Sequence, residues 1–261
     1  MLPFPAWMLC ALLACCGSEP ASPPTKALTL WQQGQDLLRN GDSDKAIPCF
    51  QESLKADPDL AQNHLSLAAA YSDLGQDKLA VLHLGRYVAK RPDHLAARLH
   101  YADMLWQAEQ FHAARAQYER FLADAQDHDE VAEDALIHGY TSLVSIYEAL
   151  GDDYHEHLNR GLGLYQLACQ RAALPDPDGE LSVQGLLFRA AAELMAARQS
   201  RRDEARACWY LHLTWSRLGQ QQPAARWLRA AEAAAPLGEL TPAEMRDLHL
   251  AWQHFQQARH K

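Results

Sequence analysis

The sequence predicts an all-α fold of about twelve helices, and two observations lead to this prediction. The first is composition, because five Val, three Ile and five Thr are too few β-branched residues for a large sheet in a chain of 261 residues. The second is a pattern that recurs every 34 residues between residues 27 and 128. The apolar fraction of 48% and the charged fraction of 22% are those of a folded protein of ordinary composition.

The charge balance bears on the class of partner. The chain has 33 acidic and 24 basic residues, which give a net charge of -9. A protein that binds a phosphate backbone needs a basic surface, and this composition offers none. The sequence therefore predicts protein partners and no nucleic acid.

The N-terminal segment is typical of a secretory signal, which we assign to residues 1–14. Residues 2–14 are mostly apolar but too short to cross a bilayer. The run Leu12-Leu13-Ala14-Cys15 resembles the bacterial lipobox. This resemblance implies that Cys15 is acylated and becomes the new N-terminus, which anchors the protein to a membrane by lipid. The alternative interpretation is an unusual signal peptide or a start codon that lies downstream.

Residues 15–26 are rich in Pro and Ser and predict a flexible tether between the lipid and the folded body. This layout is typical of a lipoprotein on the periplasmic face of a bacterial membrane. Gly17 stands where some inner-membrane lipoproteins carry Asp, so the resemblance favours the outer membrane. If the chain instead starts near Lys26, the protein is a cytoplasmic adaptor.

Several residue columns repeat at an interval of 34 within residues 27–128. Their members are Ala46, Ala80 and Ala114; Leu37, Tyr71 and Leu105; Phe50, Leu84 and Tyr118; Gly34, Ala68 and Ala102; Ser53, Tyr87 and Phe121; Gly41 and Gly75; Pro58 and Pro92. This pattern resembles the tetratricopeptide repeat, a helix-turn-helix unit. The resemblance implies three regular units that stack into a right-handed superhelical solenoid.

Packing and backbone geometry explain why these residue types recur, independently of any resemblance to a family. Small residues let two helices approach, and the large residues fill the space between them. Gly41 and Gly75 suit a left-handed helix end, which most other residues resist. Pro58 and Pro92 end the second helix of their units.

The remaining chain follows the pattern less closely. Residues 129–175 predict an elongated fourth unit, and residues 180–261 predict further tetratricopeptide-like units with a capping helix. Two pairings are open for residues 181–258. Either the helix near 181–199 is unpaired and the last helix caps the stack, or 181–218 and 222–258 form two hairpins.

The resemblance implies that the first helix of each unit lines a concave groove. The groove residues predicted in this way are Trp31, Gln35, Leu65, Ala69, Asp73, Leu99, Asp103, Trp106, Trp209 and Leu213, the last two in the first of the two pairings. Core packing is the alternative role for the tryptophans. The positions at which related domains clamp a chaperone carboxylate carry Trp31, Gln35, Ser66, Ala96 and His100, so no clamp is present. The groove favours an aliphatic or weakly basic peptide.

We predict no catalytic site and no cofactor. The densest polar cluster is the run from Asp152 to His157, in which Asp153 and His157 share a helix face. A solvated helix start with acidic residues explains the same run. The leading hypothesis is a non-enzymatic protein-interaction scaffold of the cell envelope, whose layout resembles that of outer-membrane lipoproteins that help secretins or type IV pili assemble. The alternative is a metal-dependent hydrolase that uses His155 and His157.

Overall fold

A computed structural model describes residues 25–125, 131–172, 182–202, 204–236 and 238–259. These residues form twelve helices and no strand, which confirms the predicted all-α fold. The helices are α1 (Lys26–Arg39), α2 (Ser43–Ala56), α3 (Gln62–Asp73), α4 (Asp77–Lys90), α5 (Leu95–Gln107), α6 (Phe111–Ala125), α7 (Glu133–Leu150), α8 (Asp153–Ala172), α9 (Val183–Ser200), α10 (Ala205–Arg217), α11 (Gln221–Ala234) and α12 (Pro242–Arg259).

The predicted signal peptide, Cys15 and the tether up to residue 24 lie outside the described residues. Within the described part of the chain, each helix is too short or too polar to span a bilayer.

The chain divides between Gln76 and Asp77 into two compact units. In the first unit, α2 packs against both α1 and α3. In the second unit, each helix from α4 to α11 packs against the helix that follows it in the chain. The predicted order of tandem helices is therefore present in each unit.

The repeat columns are buried as the sequence predicts. Ala46, Ala80 and Ala114 are each 0% exposed. One helical turn further on, the large side chains of Phe50, Leu84 and Tyr118 are buried as well. A column of small residues therefore alternates with a column of large residues in the core, which is how two helices approach closely without leaving a cavity.

The turn glycines adopt the predicted left-handed conformation. Gly41 has a φ of 82° and Gly75 a φ of 67°, and each follows the end of its helix by two residues. A side chain at either position would meet no other atom, so the backbone angle alone explains the preference for glycine.

The C-terminal helices pack in series. α10 packs closely against α11, and α9 packs more extensively against α8 than against α10. α12 packs against α11 at the end of the series.

Candidate functional site

In the first unit, two predicted groove residues of α1 bind the same residue of α3. The indole Nε1 of Trp31 donates to Oγ of Ser66 at 2.9 Å, and the amide Nε2 of Gln35 donates to the same oxygen at 2.5 Å. Trp31 and Gln35 are half-buried, and the nearby Leu65 is half-buried while Ala69 is exposed. The hydrogen bonds fix the orientation of the indole ring, so that it forms a preorganised apolar surface.

Asp73 lies at the C-terminal end of α3 and has a different role. Its carboxylate Oδ2 accepts a hydrogen bond from the hydroxyl of Ser43, the first residue of α2, at 2.9 Å. A carboxylate near a helix N-terminus is stabilised by the helix dipole. Asp73 therefore helps to hold α2 in place and remains exposed on the surface.

In the second unit, two further predicted residues line one cleft. Leu99 and Asp103 of α5 face a cleft of about 510 Å³. Its other walls are formed by the residues that precede and begin α5, by one residue of α6, and by the residues that precede and begin α7. The contributing residues are Asp93, His94, Leu95, Ala96, His100, Phe121, Val131, Ala132 and Ala135. The lining is mainly apolar, with the Asp103 carboxylate as one of few charged groups.

Two neighbouring helices hold the carboxylate of Asp103. The Tyr118 hydroxyl on α6 donates to Oδ1 at 2.5 Å, and Nε2 of His138 on α7 lies 2.7 Å from the same oxygen. Burial and the bond to Asp103 raise the pKa of the Tyr118 hydroxyl well above its usual value, so the hydroxyl stays a donor. Because both contacts fall on Oδ1, Oδ2 can accept a hydrogen bond from a bound partner.

Histidines surround the same cleft. His94 lies at the entry to α5, where Nδ1 is 2.8 Å from the hydroxyl of Tyr87. His100 is exposed, six residues further along the chain on α5. His94 and His138 were not predicted as site residues, because dispersed histidines on helices are usually surface residues. One signal was available, since His138 follows Asp103 by 35 residues, close to one repeat.

A second, more apolar cleft of about 430 Å³ lies between α7 and α8. Ile137 and Val144 of α7 face Leu164 and Leu167 of α8 across it. α7 thus contributes to both clefts. The sequence did not predict the second cleft. Groove positions were predicted from the 34-residue spacing, and residues 129–175 do not follow that spacing.

Trp106 lies at the end of α5 and packs against the first residue of α6. Its ring centroid is 4.9 Å from that of Phe111. The indole is half-buried, so it covers the turn between α5 and α6 and keeps one part accessible. Its role in binding stays a prediction.

The groove assignment of Trp209 requires a correction. Trp209 is 4% exposed and belongs to a buried cluster with Leu228 and Leu248. The cluster includes Leu248 of α12, a helix that lies outside the repeat pattern from which the groove position was predicted. Leu213, one turn later on α10, is half-buried and packs against the same cluster.

The histidines considered as metal ligands have separate partners. Nδ1 of His155 lies 2.7 Å from Oδ2 of Asp152, whereas Nδ1 of His157 lies 2.7 Å from Oε2 of Glu193 on α9. Among the residues that the structure describes, no three His, Cys, Asp or Glu side chains are grouped as a metal site. The contact with Asp152 lies at the N-terminus of α8, and the contact with Glu193 joins α8 to α9.

Comparison with known proteins gives matches at the level of solved structures. No family model matches the chain, and none of the curated proteins does. A crystal structure of MamA protein is 19% identical, with 83% of this chain and 98% of that chain covered and a TM-score of 0.42. PilW, named as a widely conserved type IV pilus biogenesis factor, is 16% identical over 87% of this chain and 99% of its own, with a TM-score of 0.40. Pseudomonas aeruginosa PilF is 15% identical over 89% and 97%, with a TM-score of 0.40. Similarities this low carry no information about what this chain binds.

The 34-residue repeat and its buried columns characterise the helix hairpins. Helix hairpins recur at 34 residues, the small column is buried in all three copies, and Gly41 and Gly75 end their helices in the left-handed region. In this spacing and in these turns the hairpins resemble tetratricopeptide repeats. In this register, Leu99 and Asp103 lie on the first helix of the third copy, and both line the cleft described above.

Proposed function

We propose that this chain is a non-enzymatic scaffold that binds a segment of a partner protein along the first helices of its tetratricopeptide-type repeats. The observation that carries the proposal is the cleft at Leu99 and Asp103. It combines apolar walls with a carboxylate that two neighbouring helices hold in a fixed position. Binding sites for proteins typically pair an apolar core with a few oriented polar groups.

The chemistry of the cleft indicates the partner. Leu95, Leu99 and Val131 offer surface for aliphatic side chains, and Oδ2 of Asp103 offers an acceptor for a basic one. The side chain of Asp103 is 28% exposed, so part of the carboxylate is open to solvent. A peptide that places Lys or Arg beside Leu, Ile or Val fits this surface, and an acidic peptide is disfavoured.

The proposal places this scaffold in the bacterial cell envelope. Acylated Cys15 anchors the chain to a membrane, most favourably the outer membrane, and the segment after it tethers the folded body on the periplasmic side. The partner is then a component of an envelope complex, such as a secretin or type IV pilus assembly. The support for this placement is the lipobox-like run before Cys15 and the Pro-rich and Ser-rich segment that follows it.

The binding surface is tested by capture from detergent-solubilised envelopes. We compare the wild type with a Leu99→Ala/Asp103→Asn variant and with a control variant, Leu82→Ala/Asp247→Asn, whose side chains lie outside the cleft. Proteins captured by the wild type and the control but depleted about tenfold or more by the cleft variant support the proposal. Equal capture by all three overturns the cleft as the binding surface.

The membrane anchor is tested separately. Mass spectrometry of the N-terminal peptide from cells that express the full chain should show a diacylated or triacylated Cys15. An unmodified N-terminus upstream of Cys15, or one near Lys26, would contradict the envelope placement and leave the cleft proposal intact.

A further inference from the structure

A polar cavity of about 270 Å³ lies in the second unit, away from the cleft at Leu99. Four helices and the segment before α12 form its walls. The chemically informative residues are Glu119 of α6, Tyr147 of α7, Tyr154 and His155 of α8, Arg206 of α10, and Glu239. These groups come from positions spread over 121 residues of sequence, so no motif search could have assembled them.

Tyr154 is the unusual member of this set. It is 3% exposed, and its hydroxyl has no hydrogen-bond partner among the residues that the structure describes. Burial raises the pKa of this hydroxyl well above its usual value, so it stays neutral. A buried hydroxyl without a partner is destabilising, and such groups normally bind water or a ligand.

Two carboxylates line the same cavity. The Tyr147 hydroxyl donates to Oε1 of Glu119, and this fixes the direction of the Glu119 side chain. Arg115 lies 3.9 Å from the same oxygen. Glu239 also lines the cavity and is mostly exposed, with Oε2 3.6 Å from Nε2 of His155. The cavity thus has one carboxylate that is held in place and one that is accessible from solvent.

The charge of Arg206 is already neutralised. Its Nε donates to Oε1 of Glu244 at 2.9 Å, and Glu244 is 4% exposed. Of the acidic and basic residues that line the cavity, two are carboxylates, Glu119 and Glu239, and one is a guanidinium group, Arg206. Because Glu244 already pairs with Arg206, the lining favours a cation over an anion.

We propose that the cavity binds a protonated primary amine. An ammonium group has three donors, and three side chains that line the cavity, Tyr154, Glu119 and Glu239, carry oxygens that can accept them. The volume is slightly below the usual range for small-molecule sites, so it suits a short aliphatic amine or one lysine side chain. The buried hydroxyl of Tyr154 gains its partner when the amine binds.

Calorimetric titration of the purified full chain tests this site. The probes are N-acetyl-lysinamide, cadaverine, and N-acetyl-norleucinamide, which has the lysine alkyl chain without the ammonium group. Both amines should bind and the norleucine analogue should not. Tighter binding of N-acetyl-lysinamide indicates a protein side chain as the natural ligand, and tighter binding of cadaverine indicates a free amine. Failure of both amines, or equal binding of the norleucine analogue, overturns the proposal and indicates a cavity filled by water.

Variants separate the site from general stability. Glu119→Gln keeps an acceptor for Tyr147 but removes the charge, and Tyr154→Phe removes the unpartnered hydroxyl; each should weaken amine binding roughly 10- to 100-fold. Tyr154→Phe should do so without lowering the melting temperature of the unliganded protein. The matched control is Glu148→Gln, an exposed residue of α7 outside the cavity. Equal weakening by the control would contradict the assignment, and retention of envelope partners by Glu119→Gln would keep the two sites distinct.

Discussion

Gly34 and Phe50 are in direct contact across the first hairpin. A methyl group at Gly34 would lie 2.5 Å from Cε1 of the Phe50 ring, and that ring is 0% exposed. Helix propensity alone would make Gly34→Ala stabilising by about 1 kcal/mol. Because overpacking costs about 1 to 3 kcal/mol, we expect a net loss of stability. Urea unfolding monitored by circular dichroism measures it, and a stabilised variant would contradict this contact.

A second substitution tests the cause of that loss. In a Phe50→Leu background, the smaller side chain leaves room for the new methyl group, so Gly34→Ala should cost less than in the wild type. Phe50→Ala alone should lower the free energy of unfolding by about 3 to 5 kcal/mol, since it leaves a cavity in the core. Equal costs of Gly34→Ala in the two backgrounds would exclude the ring as the cause.

Contacts within one hairpin can be predicted from the sequence, because they depend on the spacing of residues that are close in the chain. Gly34 and Phe50 belong to one hairpin, and the repeat places both on facing sides of it. Trp209 shows where this reasoning fails. Its predicted position is that of a groove residue, but it lies in a buried cluster that includes Leu248, which comes 39 residues later on a helix outside the repeat pattern. The sequence also predicted Asp103 as a groove residue, but it did not predict the contact of Asp103 with His138, which lies 35 residues later.

The contribution of α12 can be measured with two leucines of the same helix. Leu248 is 0% exposed in the cluster around Trp209, whereas Leu250 is 54% exposed. Leu248→Ala should lower the free energy of unfolding by about 2 to 5 kcal/mol. Leu250→Ala should change it by less than about 0.5 kcal/mol. Similar values for the two variants would show that α12 does not cover this cluster in solution.

Ser53 links three helices of the first unit through one buried hydroxyl. Its Oγ donates to the backbone oxygen of Ala27 at 2.6 Å and accepts from Nδ2 of Asn63 at 3.0 Å. Because Ser53 and Asn63 are each 0% exposed, Ser53→Ala leaves buried polar groups without partners. We expect a loss of about 1 to 3 kcal/mol in the free energy of unfolding. The exposed Ser72 provides the control, and an equal effect of Ser72→Ala would refute this explanation.

Asp152 should make a pH-dependent contribution to stability. Burial alone would raise its pKa, but hydrogen bonds from the side chain and backbone of His155 hold the pKa below the ordinary value of 3.8. A carboxyl group whose pKa is lower in the folded state stabilises that state above its unfolded pKa and loses this contribution as the pH falls through the folded pKa.

We therefore expect Asp152→Asn to be less stable than the wild type at neutral pH. The difference should shrink as the pH falls below the ordinary aspartate value, because the wild-type carboxyl group then becomes neutral as well. Urea unfolding of both proteins from neutral pH to about pH 3 measures the difference. A difference that stays constant over this interval would mean that Asp152 acts through packing and not through its charge.

Glu109 occupies the position of the turn glycines in the third repeat. It follows Gly41 and Gly75 in steps of 34 residues and has a φ of 56°, the one positive φ of a non-glycine residue in the described chain. The hydrogen bonds of the helix end are the same in this copy, since the next amide, of Gln110, donates to the oxygen of Leu105 at 2.9 Å.

Glu109→Gly should therefore stabilise the protein by about 1 kcal/mol, because glycine adopts this backbone conformation without the steric cost of a side chain. Ala108→Gly is the matched control. Ala108 has a φ of -82°, so glycine there relieves no strain and should be destabilising. Thermal and urea unfolding of both variants distinguish the two effects. A destabilised Glu109→Gly variant would show that the Glu109 side chain, and not the repeat backbone, determines this turn.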